Sequence, residues 1–89
     1  MRVAKVDVNQ ATIVAALRDV GASVFPTHAV GNGFPDLVVG FRGNTFLLEV
    51  KSTPGTLTPE QKNFFSQWRG HVAVVREIDD ALRAIGCDF

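Results

Sequence analysis

Four ionisable residues fall in the stretch GFPDLVVGFRGNTFLLEVK, which runs from Gly33 to Lys51. Asp36, Glu49 and Lys51 lie on segments that otherwise read as apolar strand. Two carboxylates brought together in a semi-buried, low-dielectric mouth repel, so both are costly to ionise unless a cation neutralises them. Lys51 supplies one positive charge, and a divalent ion would complete the balance. An all-oxygen donor set favours Mg²⁺ or Mn²⁺ over zinc. A plainer reading is a cross-strand ion pair between Asp36 and Lys51, with Glu49 meeting solvent.

Which reading applies depends on the backbone. Gly43-Asn44 is a good two-residue hairpin link between strands at Pro35–Arg42 and Thr45–Lys51. With those two residues as the loop, Arg42 faces Thr45, Val38 faces Glu49 and Asp36 faces Lys51. Opposed residues of an antiparallel pair share a face, and side chains alternate along each strand. All three charged groups then cluster on one face, beside Val38, Gly40 and Leu47. A register slip of one residue would send Asp36 to the other face. That other face carries Leu37, Val39, Phe41, Phe46, Leu48 and Val50, so the sheet is expected to be covered on both sides.

The surrounding elements follow from periodicity and punctuation. A first helix is expected over 9–20, with Asp7 or Asn9 as N-cap, Ile13, Ala16, Leu17 and Val20 as its apolar stripe, and Gly21 as its stop. Ala22–His28 reads as a short strand, and Ala29–Gly33 as a flexible loop. Thr58, Pro59 and Gln61 fit an N-cap, a proline at the first helical position and a capping-box partner. That helix should run to about Arg69, with Gln61, Phe64, Phe65 and Trp68 on one face. His71–Val75 is a nearly continuous apolar run, as in a strand buried on both faces. A last short helix starts at Ile78, with Ile78, Ala81, Leu82 and Ile85 inward. The order is α-β-β-β-α-β-α. The unit from Thr45 to Val75 suggests a parallel crossover, giving a mixed α/β (α+β) sheet with helices on its faces.

The chain has 89 residues, 46% of them apolar, enough for a single domain over residues 1–89 with a packed core. Nine basic and nine acidic residues balance, which argues against a polycation that coats nucleic acid by charge alone. No run approaches a membrane span, and MRVAKVDVNQ lacks the apolar stretch of a signal peptide. The expectation is a soluble, intracellular (cytoplasmic) protein. The single cysteine, Cys87, suits a reducing compartment and reads as a packing or surface residue.

Pro35-Asp36 followed by Glu49-Val50-Lys51 resembles the motif of the PD-(D/E)XK nuclease superfamily. The longer run from Gly31 to Leu82, including LTPEQ and VAVVR, is similar to stand-alone VRR-NUC (virus-type replication-repair nuclease) domains, small phage forms among them. The similarity covers nearly the whole chain. It implies a restriction-endonuclease-like α-β-β-β-α-β core and Mg²⁺- or Mn²⁺-dependent hydrolysis of DNA phosphodiesters. Asp36 and Glu49 would hold the metal, helped by the main-chain carbonyl of Val50. Lys51 would orient the attacking water or stabilise developing charge. Gln61 matches a position often associated with the site, beside its capping-box role. A homodimer is also implied. One departure is plain: related nucleases often place a further acidic residue on the first helix. Here that helix offers Gln10, Thr12 and Asp19, with Asp7 before it. Gln10 would serve as a neutral ligand or through water, and a single ion per site is expected.

Other residues carry weaker assignments. Gly33, in the Gly31–Gly33 loop, could let DNA approach closely. Arg42, Lys62 and Arg69 are candidates for phosphate contacts, with surface charge as the default. His28 reads as a strand-end residue or a substrate contact. Phe64, Phe65 and Trp68 read as core or dimer interface. Two other functions compete with a branched-DNA endonuclease. One is a non-catalytic DNA-binding module of the same fold. The other is a structural domain whose charges form an ion-pair network.

Overall fold

The computed structural model describes residues 9–87, so the alternative N-cap Asp7 lies outside the described residues. Asn9 is the N-cap of α1 (Gln10–Asp19), but its side chain leaves the helix uncapped. Instead Asn9 Nδ2 donates to the carbonyl of Arg76 at 2.6 Å, tying the start of α1 to the end of the last strand. The buried stripe is Gln10, Ile13, Val14 and Leu17. Val20, expected inward, is 37% exposed because the helix has already ended there.

Four strands follow the order β1 (Ser23–Pro26), β2 (Leu37–Phe41), β3 (Asn44–Val50) and β4 (His71–Val75) in both sequence and space. The first three are antiparallel and β4 runs parallel to β3. With α2 (Pro59–Gln67) between β3 and β4, and α3 (Ile78–Ala84) at the end, the α-β-β-β-α-β core and its short C-terminal helix are present. The strand expected over Ala22–His28 stops at Pro26. The segment expected to be a flexible loop begins as a 3₁₀ turn over His28–Val30.

The hairpin turn differs from expectation. Phe41 pairs with Asn44, so the loop residues are Arg42 and Gly43, not Gly43 and Asn44. Both have positive φ, 51° and 81°, the backbone that a tight two-residue hairpin turn demands. Paired positions move by two residues, so Val38 faces Leu47, not Glu49. A shift of two preserves which side chains share a face. The faces are therefore as expected, while the opposed residues are different.

The main core fills one face, while on the other Leu47 is 3% and Glu49 2% exposed. Leu37, Val39, Leu48 and Val50 cluster with Ile13 and Leu17 of α1 and with Ala81, Leu82 and Ile85 at α3. Cys87 packs against this cluster. The second face, expected to be covered too, is covered only in part, for two reasons. β4 is an edge strand, with Val72, Ala73 and Val74 half-buried rather than enclosed. α2 contributes no buried residue, ends at Gln67, and leaves Trp68 41% exposed. Ile78, expected inward, is likewise 36% exposed. No helix among the described residues is long and apolar enough to cross a membrane.

Candidate metal centre

Continuing the observed register past Leu37 and Leu48 sets Asp36 opposite Glu49 and Pro35 opposite Val50. Asp36 is held from three directions. Its carbonyl accepts the Thr27 N–H at 2.7 Å, and the neighbouring Pro35 carbonyl accepts the Thr27 hydroxyl at 2.8 Å. Its own Oδ2 accepts the Val50 N–H at 2.8 Å. The N–H and C=O of one strand residue point to the same edge, so the Val50 carbonyl also points toward the β2 side. The residue opposite, Pro35, has no N–H to give it. Proline before Asp36 thus ends the ladder and leaves the Val50 carbonyl without its backbone donor.

Glu49 is 2% exposed. Its Oε2 accepts Gln61 Nε2 at 3.0 Å and lies 3.7 Å from Lys51 Nζ. Its Oε1 is buried with no hydrogen-bond partner. Burial pushes the Glu49 carboxyl up to about 8. The negative charge of the facing Asp36 carboxylate adds to that rise, and Lys51 opposes it. The three charged groups, Val50, Gln61 and the loop Ser52–Gly55 line one cleft of about 460 Å³.

Gln61 completes the capping box and reaches Glu49 in one and the same position. Its Oε1 accepts the Thr58 N–H at 2.9 Å and its N–H donates to Thr58 Oγ1 at 3.2 Å, completing the capping box. Its Nε2 remains for Glu49. The first turn of α2 is pressed into place by the loop before Asp36. Gly33 has φ 80°, and a Cβ there would collide with the Glu60 carbonyl. Phe34 meets Phe64 edge-on, with ring centroids 5.3 Å apart. The close approach that Gly33 permits in this structure is to α2.

Several candidates lie elsewhere. Arg42 sits in the turn, at the end of the hairpin away from Asp36, with its guanidinium 4.7 Å from the Phe41 ring centroid. Lys62 lines a neighbouring cleft, not the carboxylate one. Arg69 is engaged with the Ser66 and Gln67 carbonyls. Gln10 is 5% exposed with Oε1 unpartnered, but it does not line the carboxylate cleft. His28 is also absent from that lining, and its Nδ1 is buried without a partner. Among the described residues no group of three or more His, Cys, Asp or Glu gathers to hold a metal.

The donors present fit one hard dication. Two facing carboxylates, with Glu49 Oε1 orphaned, and the Val50 carbonyl, to which Pro35 has no N–H to donate, offer oxygen only. Mg²⁺ keeps several of its sites for water and substrate, so a partial protein set suffices. No protein-family model, curated protein or solved structure matches this chain.

Proposed function

We propose that the protein is a metal-dependent endodeoxyribonuclease that hydrolyses phosphodiester bonds in branched DNA during replication, recombination or repair. The observation that carries this reading is the opposition of Asp36 and Glu49 across the hairpin, with Lys51 beside Glu49 in one cleft. Asp36, Glu49 and the Val50 carbonyl would hold one Mg²⁺ or Mn²⁺, which when bound would supply Lewis acidity toward the scissile phosphate and a lowered pKa for its water. The Lys51 ammonium, 18% exposed, adds positive charge where the phosphate oxygens gain negative charge during attack. Gln61 and the Val50 N–H fix one oxygen of each carboxylate, which leaves the remaining lone pairs directed by the backbone. The leaving group departs as a 3′-hydroxyl, with a 5′-phosphate on the other product, as the resemblance to PD-(D/E)XK enzymes implies. A homodimer formed through the half-bare face of α2 would bring two such sites to one DNA.

The test is cleavage of supercoiled plasmid and of a labelled four-way junction with Mg²⁺, Mn²⁺ or EDTA, for wild type beside Asp36→Asn. Metal-dependent cutting by wild type and at least a hundredfold slower cutting by the variant is the expected result, the scale of losing a transition-state charge partner. Absence of cutting with DNA binding intact would replace the nuclease by the DNA-binding module.

A further inference from the structure

A second cleft, of about 440 Å³, lies along the open edge of β4, between α2 and α3. Its charged lining is Lys62, Arg76 and Arg83 with a single carboxylate, Asp80. That carboxylate is already committed. Asp80 Oδ2 accepts the Arg76 and Glu77 N–H groups at 3.0 and 3.3 Å, and Oδ1 takes Arg83 Nη2 at 3.1 Å. Neither Lys62 nor Arg76 has a carboxylate within ion-pairing distance among the described residues. In a chain with no net charge, an uncompensated cationic cleft is a local concentration of positive potential.

This cleft adjoins the metal centre. One loop separates them: Ser52–Gly55 lines the carboxylate side, and Thr56 and Leu57 line the cationic side. On α2 the same division falls between successive residues, Gln61 facing the carboxylates and Lys62 the cations. Arg76 spans the boundary, with Nη1 donating to the Ser52 carbonyl at 3.3 Å.

We propose that this cleft is a backbone-phosphate subsite. It takes a non-scissile phosphate of the same nucleic-acid strand that is cut at Asp36 and Glu49, with Lys62, Arg76 and Arg83 as its cations. The inference rests on the nuclease reading for the identity of the strand, but its geometry is independent of the metal. Phosphate contacts of this kind set the position of the duplex without reading its sequence. Removing one should weaken binding alike for every sequence.

The experiment measures affinity for a labelled duplex by fluorescence anisotropy across a salt series, using the Asp36→Asn protein so that the DNA stays intact. Lys62→Gln and Arg83→Gln, added singly, should each flatten the dependence of log Kd on log salt by about 0.9, one phosphate contact for B-form DNA. Arg76→Lys keeps the charge and should keep the slope. Thermal melts identify any variant that fails to fold, and the other two cations then carry the test. Parent slopes in both Lys62→Gln and Arg83→Gln would overturn the subsite. Heat of binding for inorganic phosphate that disappears in Lys62→Gln, with the DNA slope unchanged, would assign the cleft to free phosphate and equally overturn it. Plasmid cleavage by the wild type is scored separately, so failure of the nuclease reading is distinguishable from failure of this one.

Discussion

Glu49 is a carboxyl group that the fold keeps from ionising easily. Its pKa rises from 4.5 to about 8, chiefly through burial and then through Asp36. Because the folded value lies above the unfolded one, the folded chain holds a proton that the unfolded chain has released between those values. The metal-free protein should therefore be most favoured below about pH 4.5 on account of this group. That contribution falls as pH rises and is gone above about 8. Over that window the loss is on the order of a few kcal/mol. Urea denaturation at pH 5, 7 and 9 in EDTA, for wild type beside Glu49→Gln, isolates it. The difference in stability between the two should change with pH in that direction, and a constant difference would contradict the assignment. Metal reverses the trend, since a dication binds the ionised form. The Mn²⁺-induced rise in melting temperature should be larger at pH 9 than at pH 6, and absent in Glu49→Gln. The carboxylate pair is legible in the sequence because alternation along strands needs only parity. The orphaned Oε1 and the Val50 carbonyl opposite Pro35 are not, because they follow from where the ladder stops.

At the scale of elements, two joints position the site. The hairpin turn lies one residue earlier than the sequence suggests, because glycine and asparagine are the usual occupants of positive φ. Arg42 takes φ 51° here. Its guanidinium over the Phe41 ring partly offsets the backbone cost. Arg42→Asn should raise stability by roughly 0.5 kcal/mol. It partly relieves the left-handed penalty of about 1–2 kcal/mol and gives up the cation–π attraction to Phe41. Chemical denaturation measures it, and a destabilised variant would mean the ring attraction outweighs the strain. The capping box of α2 is legible in full from Thr58, Pro59 and Gln61. Its link to Glu49 needs the tertiary structure. Gln61→Ala should leave the carboxylate poorly held and weaken Mn²⁺ binding by about 10–100-fold, as other outer-shell partners do. Thr58→Ala should cost about 1 kcal/mol of stability by removing the cap. Calorimetric titration with Mn²⁺ on both variants separates positioning of Glu49 from helix stability. Equal metal affinity in Gln61→Ala and wild type would leave Gln61 a capping residue only.

The whole molecule is lopsided, and that asymmetry is hidden in the sequence. A continuous apolar run such as His71–Val75 reads the same whether its second face meets a helix of this chain or another surface. Here α1 and α3 cover one face, while the face that carries Glu49 receives only α2. Phe25, on that face through its pairing with Val38, is 68% exposed. Trp68, stacked on Phe64 at 5.4 Å between ring centroids, is 41% exposed. Large aromatics in these positions cost little in a monomer but gain by being covered, and small chains have the most to gain. The dimer proposed for this protein should therefore place the aromatic end of α2 in its interface. Sedimentation equilibrium should give a dimer for wild type and a monomer for Trp68→Glu, whose carboxylate would be buried unpaired. The consequence reaches the chemistry. A dimer with two metal centres converts supercoiled plasmid to linear product in one encounter, whereas the monomeric variant should accumulate nicked circles first. A wild type that sediments as a monomer, or a Trp68→Glu protein that linearises plasmid as readily as wild type, would separate the cleavage site from any pairing of subunits.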